Sequence, residues 1–231
     1  MTQTLALIHT SPTLAPLFRV LCAAEMPDVE VFQMVDESLI QDTIRAGRLR
    51  GITIRRLLGQ IASAEAAGAD AVMVTCSSIG PGVALAQSLF EFPVIRIDEA
   101  MAEEAVRRGR RIGVAATLRT TLEPTIELLK AKAAQNGNAI EIVESLTEGA
   151  FEAVLAGDVA THDRILAGAL VRDLHDVDLI VLAQASMARV VNEMPADALS
   201  VPVLSSPELA VRRAKEILRG TRDTEFAGAA H

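Results

Sequence analysis

Short apolar runs and longer amphipathic segments alternate along the whole chain. The runs Leu5–His9, Val29–Met34, Ala71–Thr75, Val94–Ile97, Arg111–Ala116, Ala139–Val143, Leu179–Ala183 and Val201–Leu204 are mostly continuous Val, Ile, Leu and Ala rather than alternating. Continuous runs of this length predict strands of a parallel sheet covered on both faces. Between them, Ile52–Ala67 places Ile52, Ile54, Leu57, Leu58, Ile61 and Ala64 at helical spacing and then meets Gly68, which predicts a helix with a glycine C-cap. A second clear helix is predicted from Thr120, where Thr120 and Glu123 have the spacing of a capping box, to Asn136-Gly137. Strand–helix alternation of this kind is an α/β fold with mostly parallel sheets.

The pattern also repeats. Asp70-Ala71-Val72-Met73-Val74-Thr75-Cys76-Ser77-Ser78 aligns with Asp178-Leu179-Ile180-Val181-Leu182-Ala183-Gln184-Ala185-Ser186. Pro93-Val94-Ile95 aligns with Pro202-Val203-Leu204, and Leu7-Ile8-His9-Thr10 with Val114-Ala115-Ala116-Thr117. All three displacements are about 108 residues, which makes the chain an internal duplication. It predicts two pseudo-symmetric, Rossmann-like lobes, 1–98 and 110–205. A last helix, 207–220, is expected to pack back on the first lobe, and 221–231 to form a tail. In such a fold ligands bind beyond the carboxyl ends of the strands, so the active site is expected in the cleft between the lobes.

Composition narrows the chemistry. The 231 residues carry a net charge of -8, which disfavours nucleic acid and anionic membranes as partners. No apolar stretch approaches the roughly 20 residues of a membrane helix. The opening MTQTLALIHTSPT has no basic segment before its apolar run, so no signal peptide is expected. Two cysteines, Cys22 and Cys76, make no disulfide framework and suit a reducing, cytoplasmic setting. No His/Cys/Asp/Glu group has metal-ligand spacing, and Gly80-Pro81-Gly82 lacks both a P-loop lysine and the dinucleotide fingerprint, so no metal and no cofactor are expected.

One stretch stands out against this background. Val72-Met73-Val74 ends in Thr75-Cys76-Ser77-Ser78 and then Ile-Gly-Pro-Gly. A packed thiol such as Cys22, set among Leu17, Val20 and Leu21, needs no hydroxyl neighbours. A thiol at a strand mouth ringed by them suits a nucleophile or a base. The other loops expected at the same edge are His9-Thr10-Ser11-Pro12, Ala116 to Thr120 and Ala183 to Met187. Ser11 and Thr120 read as N-caps there, and helix N-termini bind carboxylate or phosphate. Met34, Asp36, Leu118, Arg119, Met187 and Arg189 are candidates for the pocket lining, with Arg119 or Arg189 able to recognise a second carboxylate. The basic segment Arg45 to Arg56 is a candidate lobe or subunit contact. Glu103 to Arg111 reads as a solvated helix end, and His162, His175 and His231 as solvent-facing.

The Thr-Cys-Ser-Ser strand end, the central Ile112 to Thr120 segment (Ile-Gly-Val-x-x-Thr-x-x-Thr) and the Ala185-Ser186-Met187 segment resemble the aspartate/glutamate/hydantoin racemase superfamily over roughly residues 5 to 215. The resemblance implies two cysteines, one per lobe, working on opposite faces of a substrate α-carbon, and often a homodimer or higher homo-oligomer. It assigns Cys76 as the catalytic thiol of the first lobe. Thr10, Ser11, Thr75, Ser77, Ser78, Thr117, Thr120, Ala185 and Ser186 become substrate-binding positions around a small carboxylate. Where the second cysteine belongs, this chain has Gln184, which exchanges hydrogen bonds but not protons near pH 7. We therefore expect an isomerase, racemase-like and free of cofactors, that moves a proton at the α-carbon of a small carboxylic acid with one thiol, Gln184 contacting substrate. Two alternatives stay open: a one-cysteine decarboxylase or lyase on a malonate-like acid, and a non-catalytic small-acid binding protein. His9, Ser186 or a water is a candidate for the missing acid.

Overall fold

The apolar runs become strands because a buried backbone must pair its N–H and C=O groups, which the central runs do with a ladder on each side. The computed structural model describes residues 2–228, with side chains as far as residue 221. Strands β1 (Thr4–His9), β2 (Glu30–Val35), β3 (Ala71–Val74) and β4 (Val94–Arg96) form one sheet in the order β2-β1-β3-β4. Strands β5 (Arg111–Ala116), β6 (Glu141–Leu146), β7 (Leu179–Leu182) and β8 (Val203–Leu204) form a second in the order β6-β5-β7-β8. Every pairing is parallel. The two orders are the same, so the repeat in sequence is a repeat of topology. This is the two-lobe α/β architecture that the alternation predicts.

The helices are α1 (Leu14–Glu25), α2 (Glu37–Ala46), α3 (Gly51–Ala66), α4 (Gly80–Ala86), α5 (Glu99–Arg108), α6 (Arg119–Gln135), α7 (Ala150–Leu155), α8 (Val159–Asp173), α9 (Ala188–Glu193) and α10 (Ser206–Gly228). The described residues form two compact units, one of 2–97 with α10 from Pro207 onward, the other of 98–206. In the first, Leu5, Leu7 and Ile8 on β1 and Val72 and Val74 on β3 have no exposed surface, and Leu39, Leu57 and Ile61 of α2 and α3 close over one face. Helix α10 buries Ala210, Val211, Ala214 and Leu218. The Gln3 amide donates to the Leu218 carbonyl at 2.6 Å, and Arg212 and Lys215 reach Glu25. In the second unit, Leu166, Leu170 and Leu174 cover Ile180 and Leu182 of β7. Lys132 of α6 joins Glu99 and Glu103 of α5 at 2.6 and 2.9 Å.

Several local expectations are corrected. Helix α1 starts at Leu14, so Ser11 sits in the preceding turn, bonded to the Thr13 hydroxyl, and is not the N-cap. Helix α6 starts at Arg119 with an extended Leu118 at its cap. Thr120 is thus inside the first turn and makes no capping box. Helix α2 is absent from the hydropathy reading because it is short and mostly polar; its caps define it. The Asp36 carboxylate accepts the Ser38 N–H, and Gly47 closes the other end at φ 64, a conformation glycine adopts without strain. Helix α10 runs through Gly220 to Gly228, since one interior glycine costs a helix only about 1 kcal/mol. Residues 229–231 of the expected tail, His231 included, lie outside the described residues. His162 is buried rather than solvent-facing, bonded to Asp163 at 2.8 Å. In the basic segment, Arg56 bonds Asp36 and Asp42 and Arg45 bonds Asp42, whereas Arg48, Arg50 and Arg55 are exposed.

Asp36 ties three elements, since Arg56 and Gln60 of α3 also donate to its carboxylate, at 2.8 and 2.6 Å. Asp36→Ala removes the α2 cap and both ties. It is expected to lower stability by about 1–2 kcal/mol, read as a lower urea midpoint at unchanged slope; a midpoint equal to wild type would show that α2 needs no cap.

Candidate functional site

A doubly wound sheet opens where its strand order reverses, because the loops after the two central strands leave in opposite directions. In the first unit that point lies between β1 and β3. The loops leaving it are His9-Thr10-Ser11 and Thr75-Cys76-Ser77-Ser78. In the second unit it lies between β5 and β7, and the loops are Thr117-Leu118 and Ala183-Gln184-Ala185-Ser186. Each unit thus gathers its own sequence-predicted residues at one sheet edge.

In the first unit, the Thr75 N–H still bonds the Ile8 carbonyl at 3.0 Å, so Cys76 is the first residue past the ladder. It is extended (φ -136°, ψ 112°), and a 3-10 turn, Ser77–Ile79, follows and leads into α4. Pro81 fits the start of α4 because its missing N–H has no intrahelical partner to lose. Ser77 and Ser78 are buried. Burial pushes the Cys76 thiol up. Hydrogen bonds from the Thr10 hydroxyl, the Ser78 and Ile79 N–H groups and the Ser78 hydroxyl act the other way without overcoming it. At neutral pH the thiol therefore rests protonated, with the donors that would stabilise its thiolate already in place. Cys22 is a core residue, 1% exposed, and burial alone raises its thiol to about 11.

His9 is fully buried and lies on the other side of the same strand ends. Its Nδ1 is 2.7 Å from the Thr75 hydroxyl, which also reaches the Ile8 carbonyl at 3.2 Å. If the single Thr75 proton goes to that carbonyl, Nδ1 is the protonated ring nitrogen and donates to Thr75. Nε2 has no partner among the described residues, and the ring packs on Phe18. Burial holds the imidazole down to about 4, so it is neutral at physiological pH.

In the second unit the same strand, 3-10 turn and helix recur: β7, Ala185–Met187 and α9. Gln184 takes the place of Cys76 in this repeat. Its Oε1 accepts from the Thr117 N–H at 2.6 Å and from the Thr117 hydroxyl at 3.0 Å. Ala185 is buried and Ser186 is exposed. The Thr120 hydroxyl is buried with no partner among the described residues.

Among the pocket candidates, Asp36 is committed to its cap, and Met187 is fully buried in the core. Arg189 is committed to Asp163 and Glu193, and Arg119 lies on the surface beside Glu123. Two residues escaped sequence reasoning. Arg96, 7% exposed at the end of β4, lays its guanidinium where a side chain on Gly80 would sit; a Cβ there would come within 2.4 Å of its Nε. Its signal was a charge inside the apolar run Val94–Ile97. Thr147 follows β6, is 4% exposed and has a hydroxyl with no partner among the described residues. No signal marked it, because the half-exposed strand β6 reads as ending earlier. Among the described residues no group of His, Cys, Asp and Glu has the arrangement of a metal site, and no helix is long and apolar enough to cross a membrane.

A family model described as Asp/Glu/Hydantoin racemase matches residues 9–214. No curated protein matches the sequence. Among solved structures the chain is similar to a glutamate racemase from Bacillus anthracis, with TM-score 0.70 and 16% identity over 95% of this chain and 82% of that one. An aspartate racemase from Picrophilus torridus gives TM-score 0.67 and 13% identity, with coverages of 90% and 91%. An allantoin racemase from Klebsiella pneumoniae gives 0.61 and 22%, with 94% and 88%. At these identities the likeness is one of fold.

The depressed His9 pKa has a consequence for stability. Between about 6.5 and 4 the unfolded chain binds a proton on His9 that the folded chain refuses, so folding free energy is full above that window and falls as pH drops through it. His9→Asn keeps a donor toward Thr75 and does not titrate. Wild type is expected to lose about 2 kcal/mol more than the variant between pH 6.5 and 4.5, read by urea melts at each pH; parallel pH profiles would mean that His9 is charged in the fold.

Proposed function

We propose a function from an established premise: the chain belongs to the Asp/Glu/Hydantoin racemase family. Membership supports an enzyme of the racemase or isomerase kind. The finer reading is cofactor-independent proton transfer at the α-carbon of a small carboxylic acid, with Cys76 as the only thiol engaged. The observation that carries it is the set of donors around the Cys76 sulfur: the Thr10 hydroxyl, the Ser78 hydroxyl and the N–H groups of Ser78 and Ile79. A merely packed thiol such as Cys22 has burial as its only influence.

The proposed step runs as follows. The thiolate takes the α-proton, and the C–H electron pair moves into the adjoining carboxylate as an enediolate. The S–H so formed returns its proton to that carbon and restores the thiolate. Thr10, Ser78 and Ile79 stabilise the charge while it sits on sulfur. Within each unit the remaining strand-end donors, Ser11 and Ser77 in the first and Thr120, Ala185 and Ser186 in the second, are proposed holders of carboxylate oxygens, where developing charge is met by fixed donors. The donors of Thr75 and Thr117, expected to bind substrate, are instead spent on the Ile8 carbonyl and the Gln184 oxygen.

One observation favours a second reading. Burial keeps the Cys76 thiol protonated at rest, which suits an acid. On a malonate-like substrate, the bond from the α-carbon to one carboxyl breaks, carbon dioxide leaves, and the electron pair forms an enediolate. The thiol proton then goes to that carbon, and water reprotonates the sulfur.

The test is proton NMR in deuterium oxide, with wild type and Cys76→Ala on α-amino acids, hydantoins, aryl- and alkylmalonates and maleate-type diacids. Deuterium entry at an α-carbon, or loss of carbon dioxide, is expected with wild type and reduced at least about 100-fold in the variant. A base role predicts kcat/KM rising with pH as the thiol ionises; an acid role predicts a fall over the same range. Turnover surviving in Cys76→Ala, or no turnover of any substrate while ligands still bind, would sink the proposal.

A further inference from the structure

Gln184 is held in one orientation by its own unit. The Thr117 N–H can only donate, so the atom 2.6 Å away must be the amide oxygen, and the Thr117 hydroxyl adds a second donor to it at 3.0 Å. Its backbone is equally fixed. The Ala183 N–H makes the last ladder bond to Ala115 at 2.9 Å, Gln184 itself is extended, and its carbonyl accepts the Met187 N–H at 3.1 Å. Both amide hydrogens on Nε2 are thereby left over. They have no partner among the described residues, while the side chain is only partly buried and sits at the switch point between β5 and β7. A half-buried amide whose oxygen is saturated and whose nitrogen is bare presents two donors and no acceptor.

We propose that Gln184 is a substrate-binding residue of one sign only: its Nε2 hydrogens bind an oxygen of the substrate carboxylate, and it supplies no proton. This rests on the reading that the protein acts on small carboxylic acids. The locked amide is neutral and cannot ionise near pH 7, whereas two N–H donors aimed at a carboxylate oxygen make charge-assisted hydrogen bonds, the stronger kind. Thr117 is then a positioning residue, because removing its donors would free the amide to turn and offer its oxygen instead.

The experiment uses the full chain, 15N-labelled, with malonate as the probe. The Gln184 side-chain N–H pair is assigned by its loss in Gln184→Glu. That variant keeps an oxygen for Thr117 but puts a second carboxylate oxygen where the N–H pair was. On titrating malonate, the wild-type pair is expected to shift, and Gln184→Glu to bind at least tenfold more weakly, with Gln184→Ala between the two. A pair unmoved by saturating malonate, equal affinity in wild type and Gln184→Glu, or no malonate binding at millimolar concentration would each overturn the proposal. Failure of the catalytic reading is distinguishable: it would abolish exchange yet leave the malonate titration on Gln184 readable and unchanged in Cys76→Ala.

Discussion

A parallel strand buried on both faces tolerates a polar side chain only where its ladder stops. Everything of chemical interest in this protein follows from that constraint. Strands β1, β3, β5 and β7 are buried except at the first residues of β1 and β5, and polar side chains gather where their ladders end, at His9 and Thr10, Thr75 and Cys76, Thr117, and Gln184. Desolvation drives the apolar runs inward, and hydrogen bonding confines the polar positions to the carboxyl edge. The switch point of each sheet then selects two loops of the four. A duplicated chain satisfies the same constraint twice, so its two halves present matching strand ends carrying different side chains.

The same desolvation that builds the core sets the proton chemistry. It lifts the Cys76 thiol and depresses the His9 imidazole, so both rest neutral at pH 7 although they stand at the ends of adjacent strands. They differ in what opposes burial. Cys76 has hydroxyl and backbone donors that favour its charged form, whereas His9 has one neutral partner, Thr75. A group with ready charge-stabilising donors can ionise during a reaction at modest cost; a group without them is suited to holding its neighbours. Gln184 stands at the equivalent position in the second unit. There a neutral amide, its oxygen held by the Thr117 N–H and hydroxyl, stands where the first unit has the thiol.

Much of the fold was legible in the sequence. Continuous apolar runs specify buried parallel strands whatever surrounds them, and all eight appear within a few residues of their expected places. The repeat was legible for the same reason, since two copies of one topology need the same strand spacing. What failed was local and polar. Ser11 and Thr120 have the chemistry of N-caps, but a cap is decided by where the helix begins, and packing set those starts at Leu14 and Arg119. Helix α2 was missed because its caps, Asp36 and Gly47, identify it better than its hydropathy does.

For the candidate site, the sequence by itself determined which residues stand at the strand ends: Cys76 among hydroxyls, and Gln184 at the repeat of that position. Strand periodicity and duplication are properties of the chain. Only the tertiary structure decided what those residues touch. It committed Asp36 to Arg56 and Arg189 to Asp163, set the Arg96 guanidinium against Gly80, and turned the Gln184 oxygen onto Thr117. These contacts join residues tens of positions apart. Hydrogen-bond direction and burial depend on distances of a few ångströms, which sequence spacing does not encode.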